Sequence, residues 1–481
     1  MRLTTLKSKL YAIVFASFVV RVVAFFALPN TPSSLGPDEG TYAAAANWTA
    51  LGKPATYFPD FGAGLYVSGR TLLIPAAFIN RIGLNPLDSV RLTSSLYGVL
   101  VVFIIGLAIV RLIGKYPIIE EFVNQNQKAL LGLFSIFAFL PSHFFWSVLG
   151  LRESATEFWV ISTFITLFLS LTTTRNRLSV YVLGYFLSIV MVFSSRPQIG
   201  WTLGLSLTLF LTFRSKVTTR WLLLSVTLIG MLLGYVVTVE RQLLATSNLY
   251  AQIHVDNKST TKATPTTKAT PTTEPTATTE PSEASLKCEF EGQVVRISGN
   301  EYDCLIRPGA ESKIEVKNPG SVLIEQSSNL AERHQINKIG AASAIQTVDC
   351  PFNAAETVGK YLCLVYRAPY TTFTFLFRPM LLVDVTSASS LLAAVENIFW
   401  SSAIFFIVVM FIRNKRLSFF RDLEPSLIFF SIFTVAAGAY EGNMGTAFRH
   451  KSLILWVVIL LLASTIVATK ERKAESKELP S

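Results

Sequence analysis

Charge is scarce in this chain. Of its 481 residues 15% are Asp, Glu, Lys or Arg, while 51% are hydrophobic and the mean hydropathy is +0.47. Soluble domains carry about 25% charged residues, so water is not the main solvent here. Nucleotide and hydrolase signatures are also missing: there is no Walker loop, no dinucleotide fingerprint and no Gly-X-Ser-X-Gly elbow. That argues against an ATP-driven pump and a serine hydrolase. Histidine occurs four times, and His143, His254 and His334 are scattered without the spacing of a metal set or a triad. Cysteine also occurs four times, as Cys288, Cys304, Cys350 and Cys363 in a single segment.

What the chain does have is apolar runs near the roughly 20 residues that cross a hydrocarbon core. They run from Leu10 to Leu28, Val90 to Val110, Ala129 to Leu149, Thr156 to Thr172, Val180 to Ser194, Gly200 to Phe213, Trp221 to Val239, Val395 to Ile412, Pro425 to Ala439 and Ser452 to Thr469. The net charge of +11 does not require nucleic acid, because the basic residues sit at the ends of these runs. Arg2, Lys7 and Lys9, then Arg175 with Arg177, Arg214 with Lys216 and Arg220, Arg413 with Lys415 and Arg416, and Lys470 with Arg472 and Lys473 fill one side if the spans number ten. By the positive-inside rule both termini are expected in the cytoplasm, with the first helix retained and not cleaved as a signal peptide.

Two long segments then fall on the outer side, Asn30 to Ser89 and Glu240 to about Glu396. The second opens with a Thr/Pro-rich tract, Lys258 to Ala284, whose composition suits an extended linker. Beyond it, short alternating runs at Gln293 to Ile297, Lys313 to Val316, Ser321 to Ile324 and Tyr361 to Tyr366 read as strands. The expected fold is thus an all-α polytopic membrane protein of about ten transmembrane helices with a small β-rich extracytoplasmic domain. Its parts are an N-terminal transmembrane module 1–239 with an outer loop 30–89, a linker 258–284, the β-rich domain 285–370 and a C-terminal transmembrane module 371–481. Two disulfides among the four cysteines suit an oxidising compartment, with three pairings open; a zinc site would need tighter ligand pairs.

The first outer segment holds Gly36-Pro37-Asp38-Glu39-Gly40-Thr41-Tyr42. Adjacent carboxylates beside a membrane helix can take a proton from an acceptor hydroxyl or hold a metal. Alternatively Asp38 caps the alanine-rich helix that follows. Arg152 and Glu153 lie between the third and fourth spans, where they either pair with each other or face a polar cavity. Arg196 and Arg378 are isolated outer arginines, each before a proline, and an arginine fork suits phosphate. Arg21 stands near the middle of the first span, where a charge costs roughly 2.5–3.5 kcal/mol on insertion scales, and is expected to face a polar interior. The last outer loop, Tyr440 to Lys451, contains Asn443, Arg449 and His450, a basic cluster suited to an anion or to lipid phosphates. Glu396 and Asn397 enter the same cavity or start the eighth span.

A first helix followed by an outer loop with Asp-Glu and then Tyr resembles the GT-C superfamily of membrane glycosyltransferases, over roughly the first 200 residues. That resemblance implies a polyprenyl-phosphate-linked sugar donor, a glycan or lipid acceptor, and action in cell-envelope polysaccharide or glycoconjugate synthesis at the plasma membrane. It also implies Asp38 as catalytic base with Glu39 beside it and Glu153 as the second acidic position. Substrate would be held by Tyr42, Arg152, Arg196, Arg378, Glu396, Asn443, Arg449 and His450, with a divalent cation as a possible assistant and no nucleic-acid partner. The chain departs from the usual pattern in carrying its outer domain before the final three spans. Two other classes fit the same features. One is a polysaccharide polymerase or ligase; the other is a non-enzymatic transporter or assembly protein.

Overall fold

In lipid no water is available to backbone amides, so an apolar chain folds as helices that satisfy their own N–H groups. The computed structural model obeys that constraint. It describes residues 3–32, 38–52, 62–115, 117–173, 175–213, 219–237, 287–290, 293–296, 351–352, 357–381, 384–385, 388–414, 424–440 and 444–478. Two compact units emerge, one of Met1–Gln252 with Pro319–Ser481 and one of Ile253–Asn318.

The first unit is helical. Its helices are α1 (Leu3–Ala27), α2 (Glu39–Ala50), α3 (Gly62–Arg81), α4 (Pro86–Lys115), α5 (Pro117–Phe139), α6 (Pro141–Val148), α7 (Glu153–Thr172), α8 (Arg175–Ser195), α9 (Pro197–Phe213), α10 (Arg220–Val237), α11 (Thr357–Phe377), α12 (Ala388–Asn414), α13 (Glu424–Tyr440) and α14 (Met444–Glu478). Prolines mark several starts, as at α4, α5, α6 and α9, where the missing N–H and the fixed φ cost nothing.

Among the described residues seven helices are long and apolar enough to cross a bilayer: Leu6–Ala27, Pro86–Val110, Gln127–Val148, Glu153–Thr172, Arg177–Ser195, Arg220–Val237 and Ser390–Met410. The chain is therefore a multi-pass membrane protein in a lipid environment. The other three expected spans lie on α9, α13 and α14; α9 has 17 residues, and the apolar stretch of α13, Glu424–Ala439, is likewise short. Side chains such as Phe15, Val23 and Phe26 of α1 are exposed, which suits contact with lipid tails.

Two helices organise the polar end of this unit. α4 packs against α1, α2, α3, α5, α6 and α7, and α14 packs against α5, α6, α7, α11, α12 and α13. Between them lies an apolar core that includes Val101, Phe134, Val160, Phe164, Phe429 and Leu453. Phe164 packs at 5.4 Å from Phe429 and 5.0 Å from Trp456, ring centre to ring centre.

One expectation is overturned. The run Tyr361 to Tyr366, read as a strand, is part of α11. It is a continuous apolar stretch, and a short one of that kind carries no period that separates strand from helix; the C-terminal helical module accordingly reaches back to Thr357. In the second unit, β1 (Lys287–Phe290) pairs antiparallel with β2 (Gln293–Arg296), Lys287 opposite Arg296 and Phe290 opposite Gln293. The runs at 313–316 and 321–324 and the linker 258–284 lie outside the described residues.

Candidate functional site

Asp38 stands at the head of α2, yet its side chain makes no capping bond to that helix. Its carboxylate, about half exposed, instead accepts a hydrogen bond at 2.8 Å from Arg449 Nη1 on α14. The neighbouring carboxylate has a different fate. Glu39 is fully buried and takes two bonds from Arg91 of α4, Nε to Oε1 at 2.6 Å and Nη2 to Oε2 at 3.0 Å. Arg91 also donates to the Pro29 and Thr31 carbonyls, at 2.7 Å and 3.0 Å. Arg91 thereby ties both α2 and the segment after α1 to α4, and Glu39 is engaged away from the Asp38–Arg449 pair.

Glu153, in the first turn of α7, does not pair with Arg152 next to it. It pairs with Arg196, which immediately precedes α9, and both are buried. A hydrogen bond between Thr156 of α7 and Ser195 of α8 holds the two helix ends together. Ser94 Oγ of α4 bonds the Trp146 and Leu151 carbonyls at 3.2 Å and 3.0 Å and the Ser154 hydroxyl at 2.7 Å, which fixes the turn between α6 and α7. Arg449, Arg152 and His450 all lie within electrostatic reach of the Glu153 carboxylate. The Arg152 guanidinium is 6.0 Å from the centre of the Tyr42 ring, and that of Arg449 is 6.0 Å from the Trp146 ring. Tyr42 is buried, and burial pushes its phenol above the ordinary value, with Arg152 opposing.

Asp38, Tyr42, Arg152, Glu153, Arg196, Arg449 and His450 therefore form one group, drawn from α2, α14 and the entries to α7 and α9. Three arginines face two carboxylates. Helix N-termini add partial positive charge, so the arrangement favours an anion, and arginine forks match phosphate oxygens in pairs.

Arg378 belongs to a different group. Its guanidinium grips Asp384 with two bonds, Nε to Oδ2 at 2.9 Å and Nη2 to Oδ1, and the Met380 N–H donates to the same carboxylate at 2.7 Å. The Lys451 ammonium donates to the Leu376 and Arg378 carbonyls and to Asn397 Oδ1, while Asn397 Nδ2 donates to the Phe377 carbonyl at 2.5 Å. Glu396 accepts from the Ser142 N–H and hydroxyl, at 2.7 Å and 2.5 Å, and from Trp400 Nε1 at 2.9 Å. This network closes the end of α11 against α6, α12 and α14. Arg378 and Glu396 are engaged within it, and Asn443 lies outside the described residues.

Cys363 sits buried on α11 and is not a free thiol. Of Cys288 only the backbone, in β1, is described, and Cys304 and Cys350 lie outside the described residues. Among those described, no three His, Cys, Asp or Glu side chains stand together as a cation site. Asp38 faces an arginine and Glu39 is consumed by Arg91, a donor set that does not fit a divalent cation. Short motifs gave no sign of Arg91, Asp384, His143 or Glu157. Arg91 and Glu157 carry one usable signal, a charge inside an apolar span. No family model matches this chain, and no curated protein or solved structure matches it.

Proposed function

We propose that this protein is a glycosyltransferase of the plasma membrane, with both termini cytoplasmic. It would move a sugar from a polyprenyl-phosphate-linked donor to a glycan or lipid acceptor on the extracytoplasmic face, in cell-envelope synthesis. The observation that carries this reading is the half-exposed Asp38 carboxylate held by Arg449 beside Arg152, Arg196 and Glu153. In the reaction, Asp38 takes the proton of the acceptor hydroxyl as its oxygen bonds to the anomeric carbon. The bond from that carbon to the donor phosphate breaks, and the electron pair leaves on the phosphate. Arg449 turns from Asp38 to that growing charge, with Arg152 and Arg196 behind it, the kind of fixed electrostatic support that lowers such a barrier most. Arg378 serves the α11 network and not the phosphate, and the reading gives no step to a divalent cation. Cys288, Cys304, Cys350 and Cys363 are read as paired with one another outside the cytoplasm.

The test is transfer by the purified full-length protein in lipid bilayers, supplied with polyprenyl-phosphate-linked sugars. Asp38→Asn keeps the size of the side chain and removes its basicity. It should lower turnover by about 10²–10⁴-fold while donor binding stays close to wild type, and Arg449→Ala should weaken donor binding. Full turnover by Asp38→Asn would remove the reading.

A further inference from the structure

Beside the charged group stands an indole to which the reaction as described gives no role. Trp146 lies two residues before the end of α6, and the Arg449 guanidinium sits over its ring at 6.0 Å. The same guanidinium donates to Asp38 at 2.8 Å. The indole and the carboxylate therefore flank one arginine, a separation that a single sugar unit bridges. Trp146 is half-buried and Asp38 about half exposed, so neither flank of Arg449 is sealed.

The ring is held in place. Phe448, the residue before Arg449, meets it edge to face with ring centres 6.3 Å apart, and Ser94 of α4 bonds the Trp146 carbonyl at 3.2 Å. The indole Nε1 is buried and has no hydrogen-bond partner among the described residues. A buried indole N–H normally finds an acceptor, and one left bare costs its desolvation. Tryptophans near the end of a span commonly anchor the chain at the headgroup level. Such an anchor turns its N–H outward to water or headgroups, whereas this one is covered.

We propose that Trp146 binds the sugar of the lipid-linked donor and so sets which lipid phosphates the site holds tightly. The inference rests on the sugar-transfer reading and names the part of the substrate that this residue recognises. When Arg449 turns from Asp38 to the donor phosphate it leaves the indole face, and the sugar ring takes its place there. A sugar ring presents C–H bonds on its face and hydroxyls at its rim, so it meets both halves of an indole. Its face packs on the aromatic ring, as in apolar ligand sites with a few placed polar groups, and a rim hydroxyl oxygen accepts the hydrogen of Nε1. A bare polyprenyl phosphate offers the arginines the same charge and the indole nothing. Arg449, Arg152 and Arg196 thus read the phosphate, and Trp146 reads the sugar.

The experiment is displacement of radiolabelled polyprenyl phosphate from the full-length chain in lipid bilayers. The competitors are unlabelled polyprenyl phosphate and polyprenyl-phosphate-linked glucose, mannose, galactose and arabinose. Wild type should bind at least one sugar-bearing lipid more tightly than the bare lipid, by about tenfold or more. Trp146→Leu should bring the two within about twofold. Trp146→Phe keeps a ring and loses the N–H, and should give up about 2–10-fold of the preference. Both variants should keep wild-type affinity for the bare lipid, whereas Arg449→Ala should weaken both lipids alike. A preference unchanged in either Trp146 variant would overturn this inference and leave sugar transfer standing. Equal weakening of both lipids by Trp146→Phe, the mark of a packing residue, would do the same. Where Trp146→Leu fails to fold, Trp146→Phe decides alone. A wild type that holds no labelled lipid, or that makes no distinction between any sugar-bearing lipid and the bare one, would overturn this inference together with the sugar-transfer reading.

Discussion

Arg449 donates to Asp38 across 411 positions of sequence, joining the start of α2 to the start of α14 with a bond of 2.8 Å. One residue further on, Glu39 is sealed against Arg91 with no exposed surface. Two adjacent carboxylates are thus each held by an arginine, one in half-exposed and one in fully buried surroundings, and the contrast is measurable.

A half-exposed ion pair contributes little to folding, because solvent screens it and ordering the side chains offsets the gain. Removing one partner of a buried pair strands a charge in a medium that cannot solvate it. Asp38→Ala should therefore lower the unfolding free energy by less than about 1 kcal/mol, and Glu39→Ala by about 3–5 kcal/mol. Reversible unfolding in mixed micelles reads both. Equal losses would mean that Asp38 is part of the scaffold.

Gly150 lets the turn between α6 and α7 close over that same pair. Its φ is +64°, and a Cβ there would meet Val90 Cγ2 at 3.0 Å and the Arg91 nitrogen at 3.3 Å. Gly52 has a similar φ of +69° with nothing within 4 Å. Gly52→Ala should show the conformational strain alone, about 1–2 kcal/mol, and Gly150→Ala should cost more by the clash with the α4 backbone. Matching losses in thermal unfolding would show that the turn has room to move.

Much of this architecture is written in local pattern. The apolar runs give the helices, and Asp38, Glu153, Arg196 and Arg449 are each visible as charges beside a span. Their partners are not visible. Arg152 and Glu153 are neighbours in sequence and the obvious pair, but the turn directs Glu153 to Arg196, between α8 and α9. Arg378 resembles Arg196 in having a proline after it, yet Asp384 claims it six residues later. Such choices depend on which helices touch, and that is decided by long-range packing. Tyr361 to Tyr366 shows the complementary failure, since a short apolar run fits either a strand or a helix until its neighbours are known.

Asp384, in the connection between α11 and α12, should give acid sensitivity to that junction. Burial works against its charge, but the hydrogen bonds from Arg378 and the Met380 N–H outweigh burial and hold its carboxyl below the ordinary aspartate value of 3.8. A carboxylate depressed in the folded state stabilises fully above its unfolded pKa, and that contribution is lost as pH falls through the folded value. Wild type should therefore lose more stability than Asp384→Asn between pH 5 and strongly acid solution, as read by unfolding at several pH values. Parallel curves for the two proteins would show that the bond to Arg378 carries no net ionic contribution.

The last prediction concerns Glu153 and Arg196, whose pairing sets the charge at the centre of the candidate site. Both are buried, and each holds the other at the start of a helix, Glu153 in α7 and Arg196 ahead of α9. Glu153→Gln leaves Arg196 with its charge beside Arg152 and Arg449, and Arg196→Met leaves Glu153 without its closest cation. Each single change should lower stability by no more than about 3–5 kcal/mol, because the remaining buried charge loses its closest partner while Arg152 and Arg449 stay within reach of Glu153. The double variant removes both charges and should recover part of that loss, giving a coupling of about 1–3 kcal/mol between residues in contact. Arg449 is also within reach of Glu153, so a smaller coupling is expected for Glu153→Gln with Arg449→Ala. A cycle of unfolding measurements on the four Glu153 and Arg196 proteins checks it. Strict additivity would mean that the two side chains do not depend on each other, and the arrangement of charge around Asp38 would then need another organising contact.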